Sequence, residues 1–138
     1  MEEKNCLFCK IISGEIPSLK VYEDENSLAF LDISPFTKGH SIVVPKNHYI
    51  SLLEFPEEKM QECLSAVKKV AIKLKTKLEA DGINIMQNNY KAAGQEINHL
   101  HFHVIPRWKN DKAFPLRIEK KERSKEELSE ILKKINTS

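Results

Sequence analysis

The sequence predicts an α+β domain: an antiparallel sheet with one long central helix and a C-terminal helix. Three observations lead there. Five short β-type runs are separated by turn signals or by helix, one apolar stripe recurs at helical spacing between the third run and the fourth, and a capping box opens a second stripe near the end of the chain.

The β-type runs are Leu19 to Tyr22, Leu28 to Asp32, Ser41 to Pro45, Ile83 to Gln87 and Leu100 to Pro106. Asp24-Glu25-Asn26 and Ser34-Pro35-Phe36-Thr37-Lys38-Gly39 supply turns between the first three. Pro56 is expected to open the long helix and Gly82 to close it, with Met60, Cys63, Leu64, Val67, Ala71, Leu74 and Leu78 along the apolar stripe. Cys63 lies on that stripe and reads as a small buried hydrophobe. Ser124, with Glu127 three residues later, caps the second helix, whose Leu128, Ile131, Leu132 and Ile135 need a partner surface. Lys109 to Lys121 is polar and reads as a loop. No repeat, low-complexity stretch or linker divides the chain, and 138 residues with 41% hydrophobic content suffice for one domain around one core, residues 1–138.

The formal net charge is +2, so no long-range field singles out a nucleic acid or a membrane as partner. Any phosphate must be bound locally. The start, Met1-Glu2-Glu3-Lys4-Asn5, has no basic region followed by an apolar stretch, and no apolar run is long enough to span a bilayer, so a cytoplasmic location is expected. Asn136-Thr137-Ser138 fits a glycosylation pattern but is set aside on the same ground. Three cysteines do not make a secreted disulfide framework, and Cys6-Leu7-Phe8-Cys9 reads as metal-binding or redox.

The segment His99-Leu100-His101-Phe102-His103 carries the chemistry. Side chains alternate along a strand, so the three histidines face one way while Leu100, Phe102 and Val104 face the other, under the long helix. Imidazole suits work at phosphorus. Its ordinary pKa near ~6.5 leaves much of it neutral and nucleophilic at cell pH, and attack by a ring nitrogen splits a difficult displacement into two easier steps. A zinc enzyme can present His-x-His on a strand in the same way, and periodicity alone does not separate the two.

These residues resemble the histidine triad (HIT) family, whose signature His-φ-His-φ-His-φ-φ, with φ apolar, is matched in full by His99-Leu100-His101-Phe102-His103-Val104-Ile105. Phe30-Leu31-Asp32-Ile33-Ser34-Pro35, the block Gly39-His40-Ser41-Ile42-Val43-Val44-Pro45-Lys46-Asn47-His48, and Ala93-Gly94-Gln95-Glu96 look like family blocks in family order. The resemblance extends over roughly residues 5 to 108 and implies a HIT-like fold, with a polar loop and C-terminal helix at 109–138. It implies an enzyme that attacks the α-phosphate of an adenine nucleotide through a nucleotidyl-histidine intermediate, usually as a homodimer. Adenosine 5′-phosphoramidate or a related purine nucleotide conjugate would be the substrate, with a dinucleoside polyphosphate, or a weakly catalytic nucleotide-binding role, as alternatives.

By the same resemblance His101 would be the nucleophile, and His103 and His40 would contact the phosphate. Asp32 would hold the ribose hydroxyls, while Leu7, Phe8, Ile11, Phe30 and Ile33 would wall the base pocket. For Phe30 and Ile33, plain sheet core is an equal expectation. Asn88 and Gln95 would approach the phosphates with backbone amides around Gly94. Glu96 departs from the Ser or Thr often found at that position. A carboxylate only accepts hydrogen bonds and repels phosphate oxygens, so it either points away or favours a cationic or amine leaving group. In bacterial-type members a structural zinc is held by a set that corresponds to Cys6, Cys9, His48 and His99, one ion per chain, with no organic cofactor. A redox couple or an unmetallated pair would share the Cys-x-x-Cys spacing, but no βαβ pattern surrounds it.

Overall fold

The computed structural model describes residues 3–115 and 118–137. Positions 116 and 117 of the expected loop, position 138 of the discarded glycosylation sequence and the first two residues of the chain lie outside the described residues. The strands β1 (Lys20–Glu23), β2 (Ser27–Leu31), β3 (Ser41–Pro45), β4 (Gly82–Met86) and β5 (Phe102–Arg107) form one sheet in the order β1-β2-β3-β5-β4. Every neighbouring pair is antiparallel. The helices are α1 (Leu7–Ile12), α2 (Met60–Lys77) and α3 (Lys125–Asn136).

The two central strands are buried on both faces, which is why they read as apolar runs and not as alternating ones. Ala29, Val43, Leu100, Phe102 and Val104 meet Cys63, Ala66, Val67, Val70 and Leu74 of α2 on one face. On the other, Leu28, Phe30, Ile42 and Val44 meet Cys6, Phe8 and Cys9 at α1. The Asp24 turn closes the first hairpin: its Oδ1 accepts from the backbone N–H groups of Asn26 and Ser27, each at 2.8 Å. Cys63 is buried, and burial pushes its thiol up to about 11.

Several expectations need correction. Gly82 does not close α2. The helix ends at Lys77 with Leu78 as its C-cap, and Glu79 turns the chain with a positive φ of 52°, so Gly82 is free to open β4. Pro56 leads into a 3-10 turn, Glu57–Lys59, before α2 proper. Leu64 is 52% exposed, because the stripe runs through Ala66 and Val70 instead. The last strand starts at Phe102, two residues later than expected. Val43 stands opposite Phe102, and two residues further along Pro45 has no N–H to extend the ladder to Leu100, whose own N–H donates instead to the Tyr49 carbonyl at 2.6 Å. The alternation survives this departure, with Leu100 wholly buried under α2.

α1 was not expected, being too short for a stripe. Cys6 caps it, its Sγ accepting from Cys9 N–H at 3.4 Å. α3 is capped as the sequence implies, Ser124 Oγ accepting from Glu127 N–H at 3.1 Å. It is not packed on the sheet: no residue of α3 is buried, and Leu128, Ile131, Leu132 and Ile135 stay exposed. The polar segment 118–124 leading to it is itself exposed, so nothing draws the helix inward.

One glycine fixes the approach to β3. Gly39 has φ +87°, and a Cβ there would run into the Leu78 side chain and touch Pro106. Gly39→Ala should therefore cost about 2–4 kcal/mol in urea unfolding, part from the left-handed backbone and part from the clash. In a Leu78→Ala background the cost of the same substitution should shrink to roughly 1 kcal/mol, the backbone share alone. Equal costs in the two backgrounds would exclude the clash.

Candidate active site and metal centre

A cleft of about 890 Å³ opens on the α1 face of the sheet, lined by side chains from α1, β2, the β2–β3 loop, the 88–97 loop and β5. Phe8 and Phe30 form part of its apolar wall and meet edge to face at 5.5 Å. The register explains the floor: Ile42 stands opposite His103, and His103 opposite Met86, so three neighbouring strands present these residues on one face.

Hydrogen bonds assign the proton on each imidazole. His101 Nδ1 lies 2.7 Å from the His99 carbonyl, which only accepts, so Nδ1 carries the proton and Nε2 keeps its lone pair. Phe36 N–H donates to His40 Nδ1 at 3.0 Å, which leaves the ring proton of neutral His40 on Nε2. That proton is donated to His103 Nδ1 at 2.9 Å, so His103 holds its own on Nε2. Burial keeps the set uncharged. It lowers the pKa of His40, and it brings His103 down to about 4, with His101 and His40 adding to the shift. It also lowers His101, opposed by the His99 carbonyl and by the carboxylates of Asp32 and Glu96.

His40 is held from outside the sheet. Phe36 stacks on it at 5.1 Å, and Phe114 meets Phe36 at 5.5 Å. Arg107 lies 4.1 Å over the Phe114 ring and grips Asp111 with two bonds of 2.8 Å. The Arg107 guanidinium, with the N–H groups of Ala113 and Trp108, holds the Asp111 carboxylate well below the usual range. The start of the expected polar loop is thus folded back as a brace behind the site.

Cys6, Cys9, His48 and His99 bring four donor atoms within 4.8 Å of one another and could hold a metal ion. His99 Nδ1 lies 3.3 Å from Cys6 Sγ, 3.6 Å from Cys9 Sγ and 3.2 Å from His48 Nδ1, while Cys9 Sγ is 3.4 Å from His48 Nδ1. Tetrahedral bonds of about 2.3 Å to sulfur and about 2.0–2.1 Å to nitrogen would separate nitrogen from nitrogen or sulfur by about 3.3–3.6 Å, so these spacings fit. His99 Nε2–H donates to the Pro45 carbonyl at 2.8 Å, which turns a bare Nδ1 toward the group, and burial brings its pKa down to about 4. Asp32, His40 and His103 also lie close together, with 3.6 Å between Asp32 Oδ2 and His40 Nε2. That trio is a poor metal site, because His40 Nδ1 is engaged by Phe36 and its Nε2 must keep a proton.

The cleft gathers His40, His101 and His103 with Leu7, Phe8, Ile11, Phe30, Asp32 and Ile33, and with Asn88, Gly94 and Glu96. Phe30 is both cleft wall and sheet core, being 4% exposed, whereas Ile33 at 97% is no part of the core. Gln95 is not in the cleft. Its Oε1 accepts from Tyr90 N–H at 2.6 Å, and its Nε2 donates to the Ile50 and Ile97 carbonyls, so the side chain expected near phosphate braces the loop instead. Sequence reasoning missed Met86 and Ile97 in the cleft, and Phe36, Phe114, Arg107 and Asp111 behind His40. The aromatic residues flanking a polar stretch were the available signal.

Fold and site together define an α+β sheet domain in which two histidines of the His-x-His-x-His segment, His101 and His103, line a cleft and the first, His99, joins a Cys–His cluster. The HIT domain model matches residues 13–110, and the chain belongs to the HIT family. An uncharacterized HIT-like protein of Methanocaldococcus jannaschii is 56% identical over 106 residues, 77% of this chain and 81% of that one. The adenosine 5′-monophosphoramidase of Saccharomyces cerevisiae is 44% identical over 102 residues, 74% of this chain and 62% of that protein. Among solved structures, a HIT family member from Bacillus subtilis has a TM-score of 0.87 at 44% identity, covering 96% of this chain and 95% of that one. A zinc-bound histidine triad family protein from Mycobacterium smegmatis has a TM-score of 0.76 at 42% identity, covering 85% and 84%.

The neutral imidazoles have a consequence for stability. His103 has a folded pKa of about 4, below the ordinary ~6.5, so between these values the unfolded chain binds more protons. Stability should fall as pH drops from about 6.5 toward 4, and His103 should contribute no pH dependence above that window. The check is urea unfolding of the parent and His103→Asn at pH 7 and pH 5. The variant should lose less stability between the two, and equal losses would show that burial does not hold His103 neutral.

Proposed function

We propose that this chain hydrolyses phosphoramidate conjugates of adenine nucleotides through a covalent nucleotidyl-histidine intermediate on His101. The observation that carries the reading is the bare Nε2 of a buried, neutral imidazole beside a ligand-sized cleft, and the similarity to a yeast adenosine 5′-monophosphoramidase supports the substrate class. Leu7, Phe8, Ile11, Phe30 and Ile33 wall the base, Asp32 takes the ribose hydroxyls, and Asn88 and the Gly94 backbone meet the phosphate.

In the first half-reaction His101 Nε2 attacks the α-phosphorus and the P–N bond to the amine breaks. The electron pair leaves with the nitrogen, which takes up a proton from solvent. Electron demand at His101 is met by Nδ1–H on the His99 carbonyl, and the Nε2–H of His103, oriented by His40, steadies the phosphoryl oxygens. In the second half water adds to phosphorus, the P–Nε2 bond breaks, and the nucleoside monophosphate leaves. His101→Ala should lower turnover by roughly 10³-fold or more while leaving the unfolding midpoint near that of the parent. Acid-labile nucleotide bound to protein should appear in quenched reactions of the parent and vanish in the variant. Turnover that follows added metal, with no adduct, would sink the reading.

We further propose one structural zinc ion per chain on Cys6, Cys9, His48 and His99, a reading supported by donor spacing and by a zinc-bound relative. With four protein donors the ion would have no open position, so it would supply cross-linking and no activated water. Metal analysis should give one zinc per chain. After chelation two thiols should become reactive toward an alkylating agent, with the third, Cys63, reacting only on unfolding. Three thiols of equal reactivity before chelation would remove the metal site. A homodimer is the assembly we favour, since β4 is a sheet edge and the apolar face of α3 has no cover among the described residues.

A further inference from the structure

We infer that the cleft selects its leaving group by charge, with Glu96 favouring amines that carry a positive charge and disfavouring polyanions. The inference rests on the phosphoramidase reading above and names the substrate class within it. Among the described residues that line the cleft none is Lys or Arg, whereas two, Asp32 and Glu96, are carboxylates. His40 and His103 do not offset these charges, because each accepts a hydrogen bond at Nδ1, from Phe36 N–H and from His40 Nε2–H, and so carries a single ring proton. A chain of net charge +2 therefore presents a ligand site whose fixed charges are all negative.

Glu96 is placed to act on what departs. It is exposed, while His40 and His101 are buried, so it stands at the mouth of the cleft. It is carried by the 88–97 loop with Asn88 and Gly94, a different wall from the apolar one built by α1 and β2. That loop is fixed from behind by the three hydrogen bonds of Gln95, its immediate neighbour. No hydrogen bond or ion pair within the described chain occupies the Glu96 carboxylate. An ammonium on the leaving amine gains an acceptor there, while each further phosphate of a dinucleoside polyphosphate adds like-charge repulsion.

The test uses three phosphoramidates of adenosine monophosphate with amines of equal length, ending in an ammonium, an amide or a carboxylate. For the parent, kcat/KM should rank ammonium over amide over carboxylate, with roughly tenfold between the extremes and less at high salt. Glu96→Gln should compress the ranking toward equality, Glu96→Asp should retain it, and Glu96→Lys should invert it. Glu96 is exposed, so these variants are expected to fold, and circular dichroism with an unfolding curve checks each one. If the parent cleaves all three conjugates without order, or if the order persists in Glu96→Lys, charge selection is overturned while the phosphoramidase reading stands. If the parent cleaves none of them, nor the simple phosphoramidate, both are overturned.

Discussion

The 2.9 Å hydrogen bond from His40 Nε2 to His103 Nδ1 sets requirements that reach across much of the domain. It can form in one direction only if His40 Nδ1 has no proton, and Phe36 N–H ensures that. For Phe36 N–H to reach the ring, residues 36 to 40 must turn tightly, and Gly39 provides the left-handed step in a space closed by Leu78 and Pro106. Leu78 is the C-cap of α2. The length of the long helix and the tautomer of a cleft histidine are thus coupled through one contact. A second support comes from the end of the sheet, where Arg107 and Asp111 hold Phe114 against Phe36.

The three triad histidines share a spacing and not an environment. His99 hydrogen-bonds to Pro45 through Nε2 and offers Nδ1 to the cysteines, whereas His101 is bonded through Nδ1 and offers Nε2 to the cleft. The opposite choice of nitrogen follows from which carbonyl each ring meets. For His99 it is a carbonyl of the neighbouring strand, for His101 a carbonyl two residues back in its own chain. A strand-like alternation delivers both rings to one side of the chain, and local acceptors then divide them between two kinds of chemistry.

Where pattern follows from backbone periodicity, the sequence was informative. The limits of β3, Ser41–Pro45, follow from its apolar run, and α3 from its capping box. Leu64 misled because an amphipathic stripe drawn from large residues ignores Ala66, whose small side chain lets α2 approach the sheet. Gln95 misled because its position in a family motif does not say where its amide finds partners, here Tyr90 N–H and the Ile50 and Ile97 carbonyls. The brace from Arg107 to Phe36 joins residues more than seventy positions apart, a relation that no local pattern encodes. The Cys and His donors come from three separate segments, with 39 positions between Cys9 and His48 and 51 between His48 and His99, and family resemblance was needed to group them.

The Cys–His cluster and the cleft are less separate than their residues suggest. α1 has six residues, too few to hold a helix by its own hydrogen bonds, yet it supplies Phe8 to the cleft wall. Phe8 sits 5.0 Å from the His101 ring and 6.0 Å from the His99 ring, edge-on to both. Cys6 and Cys9, one turn apart, fasten α1 at its first turn to His99 on the approach to β5 and to His48 beyond β3. Weakening that attachment frees α1, and with it the ring that covers His101. Removing the donors would therefore expose the His101 ring to water and raise its pKa toward the ordinary value, because burial is the main cause of the shift. A cluster of cysteines and histidines outside the cleft can in this way govern the burial of an imidazole inside it.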